Sequence, residues 1–435
     1  MWLIIGAGPS GIAVAVEMIA RGIDIAVFEA QSDVGGIWAS TAPGSPMYEG
    51  ATLITSAEMT RYREIPWKLA AGVSYPSRHL VLKYLRDCAT DTGIMDRIIF
   101  NKKVLGIEYV VASNRWNVKT SDGESTDFDG VVLACGCQWI QQKIPAFDYA
   151  NPHVVCANEI SDPLKTFEGR SVAIVGGGNT AADLARMAAE VATDVTLYLG
   201  VGRWLIPKYV DDLPSDYPST NPAPKGSRGA WLQSDLQRLL KGIHPSLDGR
   251  GWPEPNHLPL TRALIIGDEI LESVSSGSIQ VIAGSGHGVL DESRDTLIVI
   301  AAGYMELISI ASQDGVPLTW RSFVLNVFHN TFHSLFAVRP PRSDIGGFWP
   351  MEMLGKLVAR SAEMCSSSPD RWKSARSAIL GSEWDLQEGG QFSLLPDASD
   401  FVLGSAYIDA VARVGSILGL APSDFAPPNP VEPVA

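Results

Sequence analysis

Trp2-Leu3-Ile4-Ile5-Gly6-Ala7-Gly8-Pro9-Ser10-Gly11 is the stretch whose reading decides the fold. Its apolar opening has no polar alternation and reads as a strand buried on both faces. Glycines follow at once in the spacing G-x-G-x-x-G. Beyond them Ile12, Val14, Ala15, Met18 and Ile19 fall on one stripe of a helix. A second apolar run, residues 23–28, ends at Glu29, about 20 residues after the first glycine. Strand, glycine turn, helix, strand and acid form the order of a dinucleotide-binding unit. Gly6 permits the tight turn, Gly8 lets the main chain approach a pyrophosphate, and Gly11 lets helix and strand pack closely. Pro9 and Ser10 lie within the same turn, where the helix N-terminus favours phosphate charge. Glu29 can accept a hydrogen bond from an adenosine ribose hydroxyl.

Gly35 and Gly36, followed by Ile37 and Trp38, give a second close approach to an anionic group, which suits the longer reach of FAD. Val104, in the strand-rich run 98–110, is counted with this flavin-binding set.

A second unit starts at residue 171. An apolar strand runs into Gly176-Gly177-Gly178-Asn179-Thr180-Ala181, which reads G-x-G-x-x-A at Gly176, Gly178 and Ala181. Asn179 and Thr180 belong to its turn. Where an acid would bind an unphosphorylated ribose, the sequence is Tyr198-Leu199-Gly200. Arg203 and Lys208 follow. A missing acid with cations nearby favours a 2′-phosphate, hence NADPH, with NADH as the alternative. Two such sites in one chain imply hydride transfer from a nicotinamide to a flavin.

The 435 residues carry 34 Lys and Arg against 48 Asp and Glu, a net charge of −14, which argues against nucleic acid as a partner. With 46% hydrophobic residues the chain can bury a large core. Five cysteines form neither a disulfide framework nor a redox C-x-x-C, and no metal-binding spacing is visible. Without a dithiol, discharge of the electrons to oxygen is the leading option. Neither a leader pattern nor a run of about 18 apolar residues is visible, so a soluble cytoplasmic protein is expected and a membrane partner is not.

The motif order predicts an α/β protein with two dinucleotide-binding, Rossmann-like domains, the NAD(P)H domain inserted into the FAD domain. The expected division is 1–150 for the first FAD segment, 151–304 for the NAD(P)H domain, 305–420 for the returning FAD segment, and 421–435 for a proline-rich disordered tail. Runs into Ala134-Cys135-Gly136 and Ala301-Ala302-Gly303 would carry the chain between the domains. A helix is expected at 80–89, and another at 231–240 within long loops.

Taken together, these motifs resemble the class B flavoprotein monooxygenases, the flavin-containing monooxygenases and their Baeyer–Villiger relatives, most closely the soluble bacterial members. Met47-Tyr48, Leu53-Ile54-Thr55-Ser56, Tyr75-Pro76 and Ala301-Ala302-Gly303-Tyr304 carry the resemblance alongside the two glycine turns. The resemblance implies that NADPH reduces FAD, that oxygen adds to give a flavin C4a-(hydro)peroxide, and that one oxygen atom enters a small organic substrate. It marks Ser56, where animal-type enzymes carry asparagine near the flavin, and Thr55 beside it as catalytic candidates. It is also compatible with a homodimer. The signature F-x-G-x-x-x-H departs at Phe147-Asp148-Tyr149-Ala150-Asn151-Pro152-His153, which keeps the histidine and loses the glycine. N- or S-oxygenation is therefore favoured over Baeyer–Villiger oxidation of a ketone. A reductase that passes electrons to a protein partner is the further alternative.

Overall fold

Trp2–Ile5 forms β1, and its side chains alternate between two packed faces, Trp2 and Ile4 on one, Leu3 and Ile5 on the other. The computed structural model describes residues 1–39, 44–70, 72–210, 213–216, 240, 242–243, 247–257, 264–284, 295–305, 307–308, 310, 318–340, 346–382, 384 and 404–426. From β1 the chain passes through Gly6 into α1, Pro9–Ala20, with proline at the first position, where no amide is needed. β2, Ile25–Phe28, returns parallel to β1 and stops just before Glu29. The short α2, Ala57–Thr60, and the longer α3, Arg78–Asp91, follow. β3, Ile98–Ile99, lies parallel to β2. β4, Val104–Val110, β5, Arg115–Thr120, and β6, Ser125–Phe128, make a separate antiparallel sheet. β7, Gly130–Leu133, then pairs parallel with β1 on its other side.

The chain now leaves this sheet through β8, Ile140–Gln141. β9, Val154–Cys156, the short α4, Pro163–Phe167, β10, Ser171–Val175, α5, Asn179–Val191, and β11, Asp194–Leu199, begin a second parallel sheet. β12, Leu205–Ile206, is followed by a hairpin of β13, Tyr209–Val210, and β14, Leu213–Pro214. β15, Ile265–Ile266, pairs with β12. α6, Asp268–Ser276, β16, Gln280–Ala283, and β17, Leu297–Ile300, complete this part in the order β16-β11-β10-β17-β9.

β18, Tyr304–Met305, pairs antiparallel with β8, so the outgoing and returning linkers are bound to each other. The chain then rejoins the first sheet through β19, Phe323–Val324, β20, Phe328–His329, and β21, Leu335–Ala337, the last parallel to β7. Its seven strands run β19-β20-β21-β7-β1-β2-β3. This is the expected fold class, with one dinucleotide-binding domain inserted into the other.

α7, Trp349–Ser367, lies along α1, with α8, Pro369–Leu380, and α9, Gly404–Leu418, behind it. A side chain at Gly355 would come within 3.1 Å of the Ala13 and Val14 backbone, so this approach requires glycine. Arg21 and Glu363 meet further along at 4.0 Å. The two helices therefore run parallel, and their N-termini lie together.

One expectation fails at the C-terminal end. The disordered tail was expected to start at 421, yet Pro422–Phe425 is a 3-10 turn whose Phe425 is 1% exposed. The ring occupies space left by Gly415, and Arg63 donates to the Ser423 carbonyl at 2.5 Å. A buried aromatic outweighs the proline bias around it. Residues 427–435 lie outside the described residues, as does the expected helix at 231–240 apart from Leu240. Among the described residues no helix is long and apolar enough to cross a membrane.

Candidate functional site

The first glycine turn holds three glycines for three different reasons. Gly6 has φ +104°, and a Cβ there would stand 2.6 Å from the Ala134 carbonyl oxygen. A Cβ on Gly11 would overlap the Gly6 carbonyl oxygen. Gly8 is unlike both, because its Cβ would meet only the Gly36 backbone, Cα at 3.4 Å and N at 3.7 Å, which is ordinary contact. The chain itself tolerates a side chain at Gly8, so its absence leaves room for something outside the chain. Gly35 and Gly36, both at positive φ, fold back over this turn, and Gly35 N donates to the Ala7 carbonyl at 2.9 Å. No side chain caps α1, so the first-turn amides of Ser10 and Gly11 face outward from the turn, beside the missing amide of Pro9. Ile37 and Trp38 form a 3-10 turn beside it, and the Trp38 side chain is buried in the core.

Glu29 is buried, and its Oε2 accepts from Ala7 N at 2.6 Å while Oε1 accepts from Gln31 N at 2.8 Å. Burial pushes its carboxyl up, opposed by these backbone donors. An ionised carboxylate still has lone pairs to offer a ribose hydroxyl. Two residues before Val104, Lys102 N donates to the Glu29 carbonyl at 2.8 Å. The Val104 side chain is buried with Leu3, Ile5 and Phe28.

The second turn repeats the construction. A Cβ on Gly176 would overlap the Ala301 carbonyl, as Gly6 meets Ala134. Gly178, the N-cap of α5, has extended backbone and open space around its missing side chain. No side chain caps this helix either. Thr180 opens its first turn, and Ala181 is buried where a third glycine would allow closer packing. Asn179 is committed elsewhere: Nδ2 donates to the Leu264 carbonyl at 3.0 Å and Oδ1 accepts from Ile266 N at 2.9 Å. It therefore ties β15 to this turn and offers a ligand only its main chain.

A Cβ on Gly177 would lie 3.5 Å from Arg203 Nε, which puts this guanidinium against the second turn. The Arg203 carbonyl accepts from Trp252 Nε1 at 3.0 Å, which fixes the backbone there. β11 ends at Leu199 with no acid after it. Lys208 goes elsewhere. Its Nζ donates to Thr52 Oγ1 at 3.4 Å, and its carbonyl accepts from Tyr75 OH. It belongs to the seam between the two domains.

That seam contains the catalytic candidates. Ser56 is the N-cap of α2, its Oγ accepting from Met59 N at 3.4 Å. Its main-chain N donates to Asp216 Oδ2 at 2.6 Å. Its main-chain N–H and one lone pair of its hydroxyl are therefore engaged within the chain. Thr55 lies against Gly346, where a Cβ would be 2.6 Å from its Cγ2, and its hydroxyl pairs with that of Thr60 at 2.7 Å. The segment continues to Tyr62, whose hydroxyl donates to the Pro9 carbonyl at 2.6 Å, and Thr60 O accepts from Phe348 N. Residues 55–62 are thus wedged between the N-termini of α1 and α7. Elsewhere in the seam Tyr48 OH donates to Asp183 Oδ2 at 2.7 Å.

Sequence reasoning missed Asp216, which has no local pattern to mark it in a Pro- and Asp-rich stretch. His153 is a turn residue whose carbonyl accepts from Ile298 N at 2.7 Å. Trp349 is fully buried with no partner for its Nε1. Arg339 lies over the Trp320 ring.

The sequence profile of the FMO-like, flavin-binding monooxygenase-like family matches residues 2–220. Flavin-containing monooxygenase FMO GS-OX-like 3 of Arabidopsis thaliana is 26% identical over 44% of this chain, which spans about half, 49%, of that relative's length. Among solved structures, oxidized steroid monooxygenase bound to NADP has a TM-score of 0.69 at 16% identity, covering 98% of both chains. Epsilon-caprolactone-bound cyclohexanone monooxygenase has a TM-score of 0.68 at 16% identity, covering 96% of this chain and 97% of that one.

Proposed function

The chain belongs to the flavin-binding monooxygenase-like family, and on that premise we propose that it holds FAD at the first glycine turn and NADPH at the second, and transfers one atom of molecular oxygen to a small organic substrate. The observation that carries this reading is the pair of uncapped helices starting at Gly8 and Gly178, each with room where a side chain would be. Both fit a bound pyrophosphate.

Bound FAD would supply the redox chemistry, taking two electrons from the nicotinamide and passing them to oxygen. The chain's own groups bind and orient. The Ser10 and Gly11 amides would donate to phosphate oxygens, and Glu29 would accept from the adenosine ribose. Arg203, beside Gly177, takes the 2′-phosphate where β11 lacks an acid. The Arg203 guanidinium is always charged and can hold a phosphate oxygen pair in its fork. The wedge 55–62 shapes the space between the α1 and α7 N-termini and keeps water from it.

N- or S-oxygenation is the first reading and ketone insertion the second, on the lost glycine at Tyr149. Product analysis with a tertiary amine, a thioether and a cyclic ketone tests this. The amine or thioether should be oxygenated with one NADPH consumed per product. Lactone as the sole product would reverse the order, and NADPH oxidation without any oxygenated product would remove the monooxygenase reading.

A further inference from the structure

Asp216 reaches the first domain from the end of the β13–β14 hairpin of the second. Its Oδ2 receives the Ser56 main-chain N–H at 2.6 Å. Ser56 Oγ also accepts from Met59 N at 3.4 Å. Thr60 N in turn donates to the Ser56 carbonyl at 2.9 Å. Two successive amides of one short helix, those of Met59 and Thr60, therefore hang on a residue gripped by the other domain. α2 is only one turn long and cannot hold itself, since a single turn fixes more backbone than its hydrogen bonds repay.

The same hairpin is seated by Tyr75, whose hydroxyl donates to the Lys208 carbonyl and whose ring meets Tyr209 at 5.3 Å. Lys208 Nζ reaches Thr52. These contacts sit on the residues either side of the grip, so the hairpin docks as a unit. Burial pushes the Asp216 carboxyl up, and the Ser56 donors oppose it. A buried acceptor in that position is costly unless its donors are present.

We propose that Asp216 is a positioning residue: through Ser56 it holds the 55–62 wedge in register, so that the wedge is ordered only while the hairpin of the second domain is docked. The functional consequence rests on the reading of the first turn as the flavin site; the clamp itself does not. Asp216 makes wedge geometry, and with it electron transfer, dependent on how the nicotinamide domain sits.

Hydrogen–deuterium exchange of the purified holoprotein tests the clamp, read on peptides covering residues 54–60. In Asp216→Ala exchange there should rise at least about tenfold, the loss of one hydrogen bond to a charged group. Peptides from β10 should be unchanged, which shows that the fold is intact. Asp216→Asn keeps an acceptor for Ser56 N–H and should return exchange to within about twofold of the parent. The rate of anaerobic flavin reduction at saturating NADPH should fall about tenfold in Asp216→Ala and recover in Asp216→Asn, with the NADPH KM within about twofold throughout. Unchanged exchange in Asp216→Ala, or no rescue by asparagine, overturns the clamp. A parent protein with a protected wedge but no reduction by NADPH overturns the function and leaves the clamp standing.

Discussion

Gly8 and Gly11 stand three positions apart and answer to different neighbours. A methyl at Gly11 collides with the Gly6 carbonyl, whereas one at Gly8 meets Gly36 at ordinary distance. Gly11→Ala should therefore lose about 3 kcal/mol of stability by overpacking, measured by urea unfolding. Gly8→Ala should unfold at the parent's midpoint as apoprotein, yet bind FAD at least about tenfold more weakly, roughly 1.4 kcal/mol. Equal loss of stability in both would show that Gly8 serves the fold and not a ligand. At the second turn, Arg203→Ala should raise the KM for NADPH about tenfold and leave that for NADH nearly unchanged. Equal effects would remove Arg203 as the 2′-phosphate ligand. The glycines were legible in the sequence because backbone geometry ties residue type to position. Asn179 was legible as a turn residue, but its grip on Leu264 and Ile266 depends on a segment some 85 residues away.

At the scale of elements, β1 and β10 could be read as short apolar runs ending in a glycine turn, and α1 from its apolar helical stripe. Of the sheet β4–β6 only the run 98–110 was legible as strand, although its strands pair with near neighbours in sequence, and the turn Pro422–Phe425 was not legible, since Arg63, 360 positions away, helps to decide it. Phe425 is the instructive case: a proline-rich composition predicts disorder, and one aromatic filling the space beside Gly415 reverses it. Phe425→Ala should cost about 3 kcal/mol, seen in chemical unfolding, and a loss below about 0.5 kcal/mol would place the ring outside the core. β20 carries a pH response of its own. His329 is buried against Phe323 and Phe332, and its Nδ1 accepts from Thr331 and Phe332 N at 3.1 Å. Burial, with Arg376 nearby, pushes its pKa down to about 4 from an ordinary 6.5. The unfolded chain thus takes up this proton first, so stability falls as pH drops from about 6.5 towards 4. His329→Asn keeps an acceptor for both amides and should flatten that slope. An unchanged slope would assign the acid sensitivity to other groups.

For the whole molecule, the two returns after β7 and β17 set the architecture, and the pairing of β8 with β18 binds them into one ribbon. The insertion was legible because the second glycine turn interrupts a sheet that is completed only by β19–β21. The packing of one domain on the other was not, because Tyr48 with Asp183 and Ser56 with Asp216 bring together residues 135 and 160 positions apart. A net charge of −14 gives Arg203 added weight as a place for phosphate. At this scale the proposal is that the two turns hold a flavin and a nicotinamide that exchange electrons. Anaerobic titration of the purified protein with NADPH, followed by visible absorbance, is the decisive measurement. A yellow protein bleached by one equivalent of NADPH per flavin is expected, and a colourless folded protein, or a yellow one that neither NADPH nor NADH bleaches, would rule the proposal out.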